Sequence, residues 1–251
     1  MANQRWSTGD VQSYAEEYLT PVVSCQIYWA MSEWHFGEIA SCHAKLGEAI
    51  SIAKELKDMN SLAMALAWAA SLAGAERNPA EVDRLASDLI ELSTRHNFAF
   101  WLALGAIWRG SALSASGDAA EGISRIDDGI RDYRATGSIL AVPCWLAQKA
   151  EALHLADRTS EALEAINEAI TMAERFELRY FRPEMHRLRG VFLAALGADE
   201  TQIEASFCET NRIAKEQKSI SLEKRAEATY ADYCRQKASG SGGQGFRLAL
   251  W

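Results

Sequence analysis

Apolar residues between Phe98 and Thr136 recur at the i, i+3, i+4 and i+7 spacing of an amphipathic helix. The first half of this stretch has Trp101 and Trp108 in the apolar pattern, and the second half has Ile126. Between the halves, the sequence SASGD interrupts the periodicity with a glycine and a candidate capping residue. The pattern predicts two helices joined by a turn.

The same pattern returns along the chain at an interval of about forty residues, which is typical of a helical repeat. Small residues recur in the first helix of each unit, and isoleucines recur in the second. The two series are Ala30, Ala70, Gly110, Ala150 and Gly190, and Ile50, Ile90, Ile130 and Ile170. A small residue lets a helix approach its partner closely, and the aliphatic side chains fill the space beside it. Each hairpin then has an apolar face that a neighbouring hairpin must cover.

This repeat predicts an all-α fold, a right-handed superhelical array of about five helix hairpins followed by a C-terminal capping helix. The repeat domain is expected over residues 21–237. Its hairpins are placed at 21–57, 60–96, 98–136, 138–177 and 179–217, with the capping helix at 219–237. Residues 1–20 are expected to form a tail or a helix. Residues 238–251 form a Gly/Ser-rich tail whose apolar end, FRLALW, is either flexible or folded back onto the array.

The turns between the two helices of a hairpin carry capping residues followed three positions later by Glu or Gln. These predicted caps are Asn78, Asp118 and Asp199. The fourth equivalent position is Arg158, which cannot cap, so Asp157 or Thr159 is expected to replace it.

Glycine and proline positions constrain the packing further. Glycine in a helix interior is less favourable than alanine by about 0.5–1 kcal/mol, so its use needs a packing reason. Gly110 and Gly129 are therefore predicted to lie where two helices approach most closely. Pro143 and Pro183 are predicted to lie in the first turns of their helices, because proline breaks a helix interior.

Composition limits the class of protein. Apolar residues make up 49% and charged residues 24% of the 251 residues, a globular balance. No run approaches the roughly 18 apolar residues of a membrane helix, so a cytoplasmic protein with no membrane partner is expected. The formal net charge of −8 argues against nucleic acid as a partner. The five cysteines form no CxxC pair, which favours free buried thiols.

Candidate catalytic and metal-binding patterns are weak. The histidines form no HExxH motif, and no P-loop GxxxxGK[ST] is present. No nucleophile, acid–base pair or metal cluster stands at a useful spacing. The sequence therefore predicts a protein that is not an enzyme, with no catalytic residues, metal or cofactor.

The repeat units resemble tetratricopeptide (TPR) repeats. The resemblance lies in the small-residue position, in the leucine three residues later, and in the second-helix pattern of Ala162, Ile166 and Ala169. More specifically, NFAFWLALGAIWRGSALSASGD, EGISRIDDGIRDYRATG and EMHRLRGVFLAA resemble the C-terminal repeat region of bacterial adenylate/guanylate cyclase–ATPase signalling proteins. This resemblance covers most of residues 34–250 and belongs to the repeat region alone. It implies a bacterial sensory or partner-binding module and no cyclase or ATPase activity in this chain.

The TPR resemblance implies a binding surface on the concave face, at positions three before and one after the small residues. The candidates are Ile107, Ser111, Glu151 and Arg187, with His154 and Glu184 nearby. The alternative is a solvated face in which Glu184 and Arg187 form an ordinary helix ion pair. Trp34 and Trp101 are candidates for lining an apolar pocket inside the array, although aromatic residues at helical spacing are usually core.

Two functional hypotheses follow from this surface. The first is a regulatory scaffold that binds a protein or peptide partner on the concave face, with self-association into a homo-oligomer as an option. The second is a small-molecule sensor with a tryptophan-lined pocket that regulates an attached cyclase or ATPase. A groove open along its length favours the scaffold, and an enclosed cavity favours the sensor.

Overall fold

The computed structural model describes residues 20–239, and all regular secondary structure within them is helical. The helices are α1 (Pro21–Phe36), α2 (Ile39–Glu55), α3 (Met59–Ala75), α4 (Pro79–His96), α5 (Ala99–Ala115), α6 (Ala119–Ala135), α7 (Val142–Leu155), α8 (Thr159–Arg175), α9 (Arg182–Ala195), α10 (Glu200–Glu216) and α11 (Ile220–Ala238). The predicted terminal segments, 1–20 and 238–251, lie almost entirely outside the described residues.

Successive helices pack against each other, and the first helix of each pair also contacts the first helix of the next pair. The inner row is therefore α1, α3, α5, α7 and α9, and it ends on α11. The second helices form the outer row. This arrangement is an α-solenoid, and it confirms the predicted all-α array of hairpins.

The two ends of the array meet, because α11 packs against α1 as well as against α9 and α10. Nδ1 of His35 lies 2.6 Å from Oγ of Ser219, and the Ser221 hydroxyl donates a 2.5 Å hydrogen bond to the carbonyl of Trp34. These contacts join residues more than 180 positions apart. The last helix therefore covers the end of the array and also closes its inner side.

The close approach predicted at two glycines is confirmed. A Cβ atom added at Gly110 would lie 2.6 Å from the carbonyl oxygen of Gly122 on the paired helix. One added at Gly129 would lie 2.6 Å from Cγ1 of Ile107 and 2.9 Å from the carbonyl oxygen of Ala103. Because α5 and α6 touch through backbone at these points, no side chain fits between them.

Alanine at Gly110 is expected to destabilise the protein by about 1–3 kcal/mol, as overpacking of a core does. The reason is that the new methyl group meets backbone, which cannot rotate away. Gly47 in α2 is the matched control: it is also inside a helix, but an added Cβ has no neighbour within 4 Å. Alanine there is expected to stabilise by about 0.5–1 kcal/mol. Urea unfolding of both variants checks the pair, and equal shifts would contradict the packing.

Two of the predicted helix caps are present as expected. Asn78 accepts a hydrogen bond from the backbone N–H of Glu81 at 3.2 Å, and Asp118 accepts one from Glu121 at 3.4 Å. The third cap differs in detail, because Asp199 accepts from Thr201. Each carboxylate or amide oxygen satisfies an N–H that has no partner within its helix.

The prediction for the fourth cap is wrong, because neither Asp157 nor Thr159 caps α8. Arg158 occupies the capping position and makes no side-chain cap. Asp157 has a left-handed backbone with φ of 59°, and the Thr159 hydroxyl instead lies 2.9 Å from Nδ1 of His154. The prolines follow the prediction, because Pro143 lies in the first turn of α7, as Pro183 does in α9.

Candidate functional site

The inner helices surround a pocket with a volume of about 810 Å³, counted together with the solvent at its mouth. Helices α1, α3, α5, α7, α9 and α11 all contribute to its wall, as do α2 and the segment between α8 and α9. Closure of the array by α11 creates this pocket, because Leu222 and Arg225 of α11 complete the wall.

Aromatic side chains form much of the pocket wall, and they come from distant parts of the chain. They are Trp34, Trp68, Trp108, Tyr180 and Phe181. The ring of Tyr180 lies edge-on to His35 at 5.5 Å and to Trp68 at 6.3 Å between ring centroids. Burial raises the pKa of the Tyr180 phenol, so the group is protonated at neutral pH. These rings provide an apolar surface on which a flat ligand can pack.

A buried ion pair stands behind one side of the pocket. Arg187 donates to both carboxylate oxygens of Glu184, through Nε at 2.9 Å and Nη2 at 2.6 Å. Both side chains are at most 5% exposed. Arg187 also lies 3.4 Å from the hydroxyl of Thr229 on α11. The two-pronged geometry satisfies a carboxylate that burial would otherwise penalise.

Two further arginines extend this pair into a network at the pocket wall. Arg77, in the turn after α3, forms an ion pair with Glu151 on α7 and lies 3.4 Å from Oε1 of Glu184. Arg225 on α11 lies 3.5 Å from the same oxygen and donates to the carbonyl of Ala75. The guanidinium of Arg225 also lies 6.0 Å from the ring centre of Trp34. The network thus connects α3, α7, α9 and α11 with α1.

The pKa values follow from burial and from these charges. Burial alone would raise the pKa of Glu184, but Arg187, Arg225 and Arg77 outweigh it and hold the pKa well below its usual range. Burial lowers the pKa of Arg225, and Arg77 and Arg187 lower it further while Glu184 opposes them. Burial also lowers the pKa of His35. At neutral pH Glu184 is therefore ionised while His35 is neutral.

Acid is expected to destabilise the protein partly through Glu184. The pKa of Glu184 is lower in the folded state than in the unfolded state. Its contribution to the free energy of unfolding is therefore fully present above the unfolded-state pKa of about 4.3. That contribution is lost progressively as the pH falls from about 5 towards the folded pKa. Glu184→Gln, which has no proton to gain, is expected to show a shallower loss of stability between pH 5 and pH 3. Urea unfolding across that range measures it, and equal slopes in both proteins would contradict the assignment.

Three of the residues predicted for the binding surface line the pocket: Trp34, Glu151 and Glu184. Arg187 lies directly behind Glu184 and is itself 3% exposed, so it supports the wall without forming it. The structure therefore brings four predicted residues together around one pocket.

The other four predicted residues lie elsewhere. Ile107 is fully buried against Gly129. Ser111 is buried and its hydroxyl donates to Oε1 of Gln148, which does line the pocket. Trp101 donates from its indole nitrogen to Asn60, and His154 contacts Phe192 and Thr159. These four do not line the pocket.

Several pocket residues were not predicted. Trp68 and Trp108 stand one repeat interval apart, and this spacing indicates equivalent positions in two hairpins. The spacing fits a position in the core as well as one in a pocket, so it does not identify them as pocket residues. Tyr180 and Arg77 lie in turns outside the helical pattern, and Arg225 depends on contact between the two ends of the array. No periodic signal marks these last three.

Other chemistry at the pocket is limited among the described residues. No group of three or more His, Cys, Asp or Glu is placed there to hold a metal ion. Cys42, which contributes to the wall, has a pKa raised to about 11 by burial and by the nearby Glu76 and Glu33, so its thiol is protonated. No helix in the described region is both long and apolar enough to span a membrane.

Comparison with known proteins supports the repeat architecture. The fold defines the chain as a TPR-like helical-repeat protein. The family model for anaphase-promoting complex subunit 5 matches residues 17–76 and 146–177, which together are less than half of the chain. The chain is similar to the crystal structure of Bacillus thuringiensis PlcR in complex with the peptide PapR7 and DNA. That similarity has a TM-score of 0.61 and 15% sequence identity, over 89% of this chain and 84% of PlcR.

A bacterial relative is similar in sequence. The chain is 25% identical over 197 residues to uncharacterized protein R02095 of Rhizobium meliloti (strain 1021). This alignment covers 78% of the chain but only 19% of the relative. The chain thus spans about a fifth of the length of the curated protein that it matches.

Proposed function

We propose that this chain is a regulatory module that binds a ligand in its central pocket, as the sensor hypothesis predicts. The observation that carries the proposal is the contact of α11 with α1, which turns the inner face of the array into a pocket. A scaffold for extended partners needs a groove that is open along its length. Here the ends meet, and aromatic rings and buried charges converge on a limited volume.

The comparisons are compatible with this proposal. PlcR, which has a similar fold, is in complex with a peptide and with DNA, so we include short peptides among the candidate ligands. DNA is not a proposed partner, because the formal net charge of this chain is −8. The chain spans only 19% of its Rhizobium relative, which fits a module within a larger protein. A cyclase or ATPase as the regulated domain remains part of the proposal, supported by the sequence resemblance alone.

Native mass spectrometry of the purified chain tests ligand binding. We expect the chain to carry a small molecule or short peptide, from the host cell or from an added metabolite extract, that denaturation releases. Ser71→Phe, which places a ring inside the pocket, is expected to abolish this binding. Ser51→Phe, on the exposed surface of α2, is the control and is expected to retain it. Equal binding by both variants would place the ligand elsewhere, and no bound species in any sample would contradict the proposal.

A further inference from the structure

Among the described residues, the ion-pair network at the pocket wall holds more guanidinium groups than carboxylates. The arginine and glutamate side chains that line the pocket are Arg77, Arg225, Glu151 and Glu184. Arg187 stands directly behind Glu184 and adds a third guanidinium. Within this network three guanidinium groups therefore share two carboxylates.

The geometry shows which guanidinium is least satisfied. Both oxygens of Glu184 accept hydrogen bonds from Arg187 at 2.9 and 2.6 Å, and Arg77 is paired with Glu151. Arg225 reaches Glu184 only at 3.5 Å, and it donates one hydrogen bond to the carbonyl of Ala75. These are its two polar contacts with the described residues, although a guanidinium has five N–H donors. Burial lowers the pKa of Arg225 most, Glu184 raises it, and repulsion from Arg77 and Arg187 lowers it.

Another donor on the pocket wall points to the same kind of ligand. Gln148 uses its amide oxygen to accept a 2.6 Å hydrogen bond from Ser111. That bond orients the side chain, and the amide nitrogen makes no hydrogen bond with the described part of the chain. The wall therefore offers N–H donors from Arg225 and Gln148, whereas the carboxylate oxygens of Glu184 are already engaged.

We infer that the pocket recognises an organic anion, a carboxylate carried on an aromatic or apolar body. Arg225 binds the carboxylate, Gln148 contributes a further donor, and Trp34, Trp68 and Trp108 pack against the apolar body. A guanidinium is suited to this task because its fork of N–H groups matches a carboxylate and holds its charge at every physiological pH. This inference rests on the proposed ligand-binding function and names the chemical class of the ligand.

Two matched probes test the charge requirement. 1-Naphthoate carries a carboxylate on an aromatic body, and 1-naphthalenemethanol has the same rings without the charge. Both are titrated by calorimetry, with tryptophan emission as a second readout because three tryptophans line the pocket. We expect naphthoate to bind about 10- to 100-fold more tightly, the range for a charge-assisted hydrogen bond pair. Inorganic phosphate, an anion without an apolar body, is expected to bind more weakly than naphthoate.

The ratio of the two affinities is then measured in Arg225→Gln and in Arg95→Gln. Arg95 is exposed and pairs with Glu91 on the outer surface of α4, so its variant is expected to keep the wild-type ratio. Arg225→Gln is expected to bring the ratio close to one. If Arg225→Gln instead loosened the array, both probes would weaken together and the ratio would not change, which would overturn the inference. Equal binding of both probes by the wild type, or phosphate binding as tight as naphthoate, would also overturn it.

Failure of this inference is distinguishable from failure of the proposed function. If native mass spectrometry finds a ligand that Ser71→Phe loses, while the naphthoate preference is absent, the pocket binds another chemical class. If no ligand is found and neither naphthyl probe binds, both the function and its ligand class are overturned.

Discussion

Replacing Arg187 with methionine is expected to lower the free energy of unfolding by about 3 kcal/mol, the lower end of the range for breaking a buried ion pair. Arg187 is 3% exposed, and its removal leaves the carboxylate of Glu184 in a buried position without its main partner. The loss is at the lower end because Arg77 and Arg225 remain 3.4 and 3.5 Å from Glu184. Urea unfolding at neutral pH measures the change.

The control for this variant is Arg212→Met. Arg212 also binds a glutamate three positions earlier in the chain, with Nη2 2.7 Å from Oε1 of Glu209, but its side chain is 57% exposed. The hydrogen bond to Glu209 raises the pKa of Arg212, yet water screens this pair and replaces it easily. Its variant is therefore expected to leave the unfolding midpoint nearly unchanged. Equal effects at Arg187 and Arg212 would show that burial of the first pair has no energetic consequence.

A double variant measures how much Glu184 and Arg187 stabilise each other, apart from what each gains from its other neighbours. Glu184→Gln combined with Arg187→Met removes both charges, so no unpaired carboxylate is left. We expect the double variant to be clearly more stable than the sum of the two single changes predicts. Strictly additive changes would mean that the two side chains do not stabilise each other.

The repeat interval was enough to predict the hairpins, because close packing of two helices demands small residues at fixed places. Gly110 shows this directly, since a side chain there would meet the backbone of α6. The cap of α8 could not be predicted in the same way. Its turn contains Asp157, whose left-handed backbone takes it out of the capping position, and that conformation is not encoded by capping preferences.

Some of the predicted inner-face positions lie away from the pocket for a geometric reason. Residues three apart on a helix share a face, so Ile107 faces the partner helix together with Gly110. In the structure, the pocket is lined in three of the five units from the position two before the small residue, and in three units from the position one after it. These positions are occupied by Trp68, Trp108 and Gln148, and by Met31, Ser71 and Glu151. A shift of one residue from three before to two before moves the side chain by about 100° around the helix.

Closure of the array lay beyond sequence reasoning altogether. The contact of Trp34 with Ser221 depends on small rotations that accumulate across five successive hairpins, and no single repeat specifies their sum. The pair Glu184 and Arg187 was recognised from its spacing, yet its burial depends on α11, which covers Arg187 with Thr229. Spacing alone therefore could not distinguish a solvated ion pair from a buried one.

Alanine at Phe207 is expected to destabilise the protein by about 3–5 kcal/mol, as truncation of a buried phenylalanine does. Phe207 on α10 is 1% exposed, and its ring lies 5.7 Å from that of Tyr230 and 5.6 Å from that of Tyr233 on α11. Losing the ring removes the main aromatic contact between α10 and the closing helix. Phe36→Ala is the control, because Phe36 is 56% exposed and its removal is expected to have little effect.

A second change at Gly190 shows whether the effect arises from packing in this one place. A Cβ atom at Gly190 would lie 2.8 to 3.0 Å from three atoms of the Phe207 ring, so Gly190→Ala alone is expected to destabilise the protein. In the Phe207→Ala background the ring is gone, and the same methyl group fills part of the space and favours the helix. The effect of Gly190→Ala on the free energy of unfolding is therefore expected to change sign and to become stabilising there.

Hydrogen exchange of α11 should follow the same order, with faster exchange in Phe207→Ala and partial recovery in the double variant. If Gly190→Ala had the same effect in both backgrounds, the ring would not occupy the position that the structure gives it, and the loss caused by Phe207→Ala would need another origin.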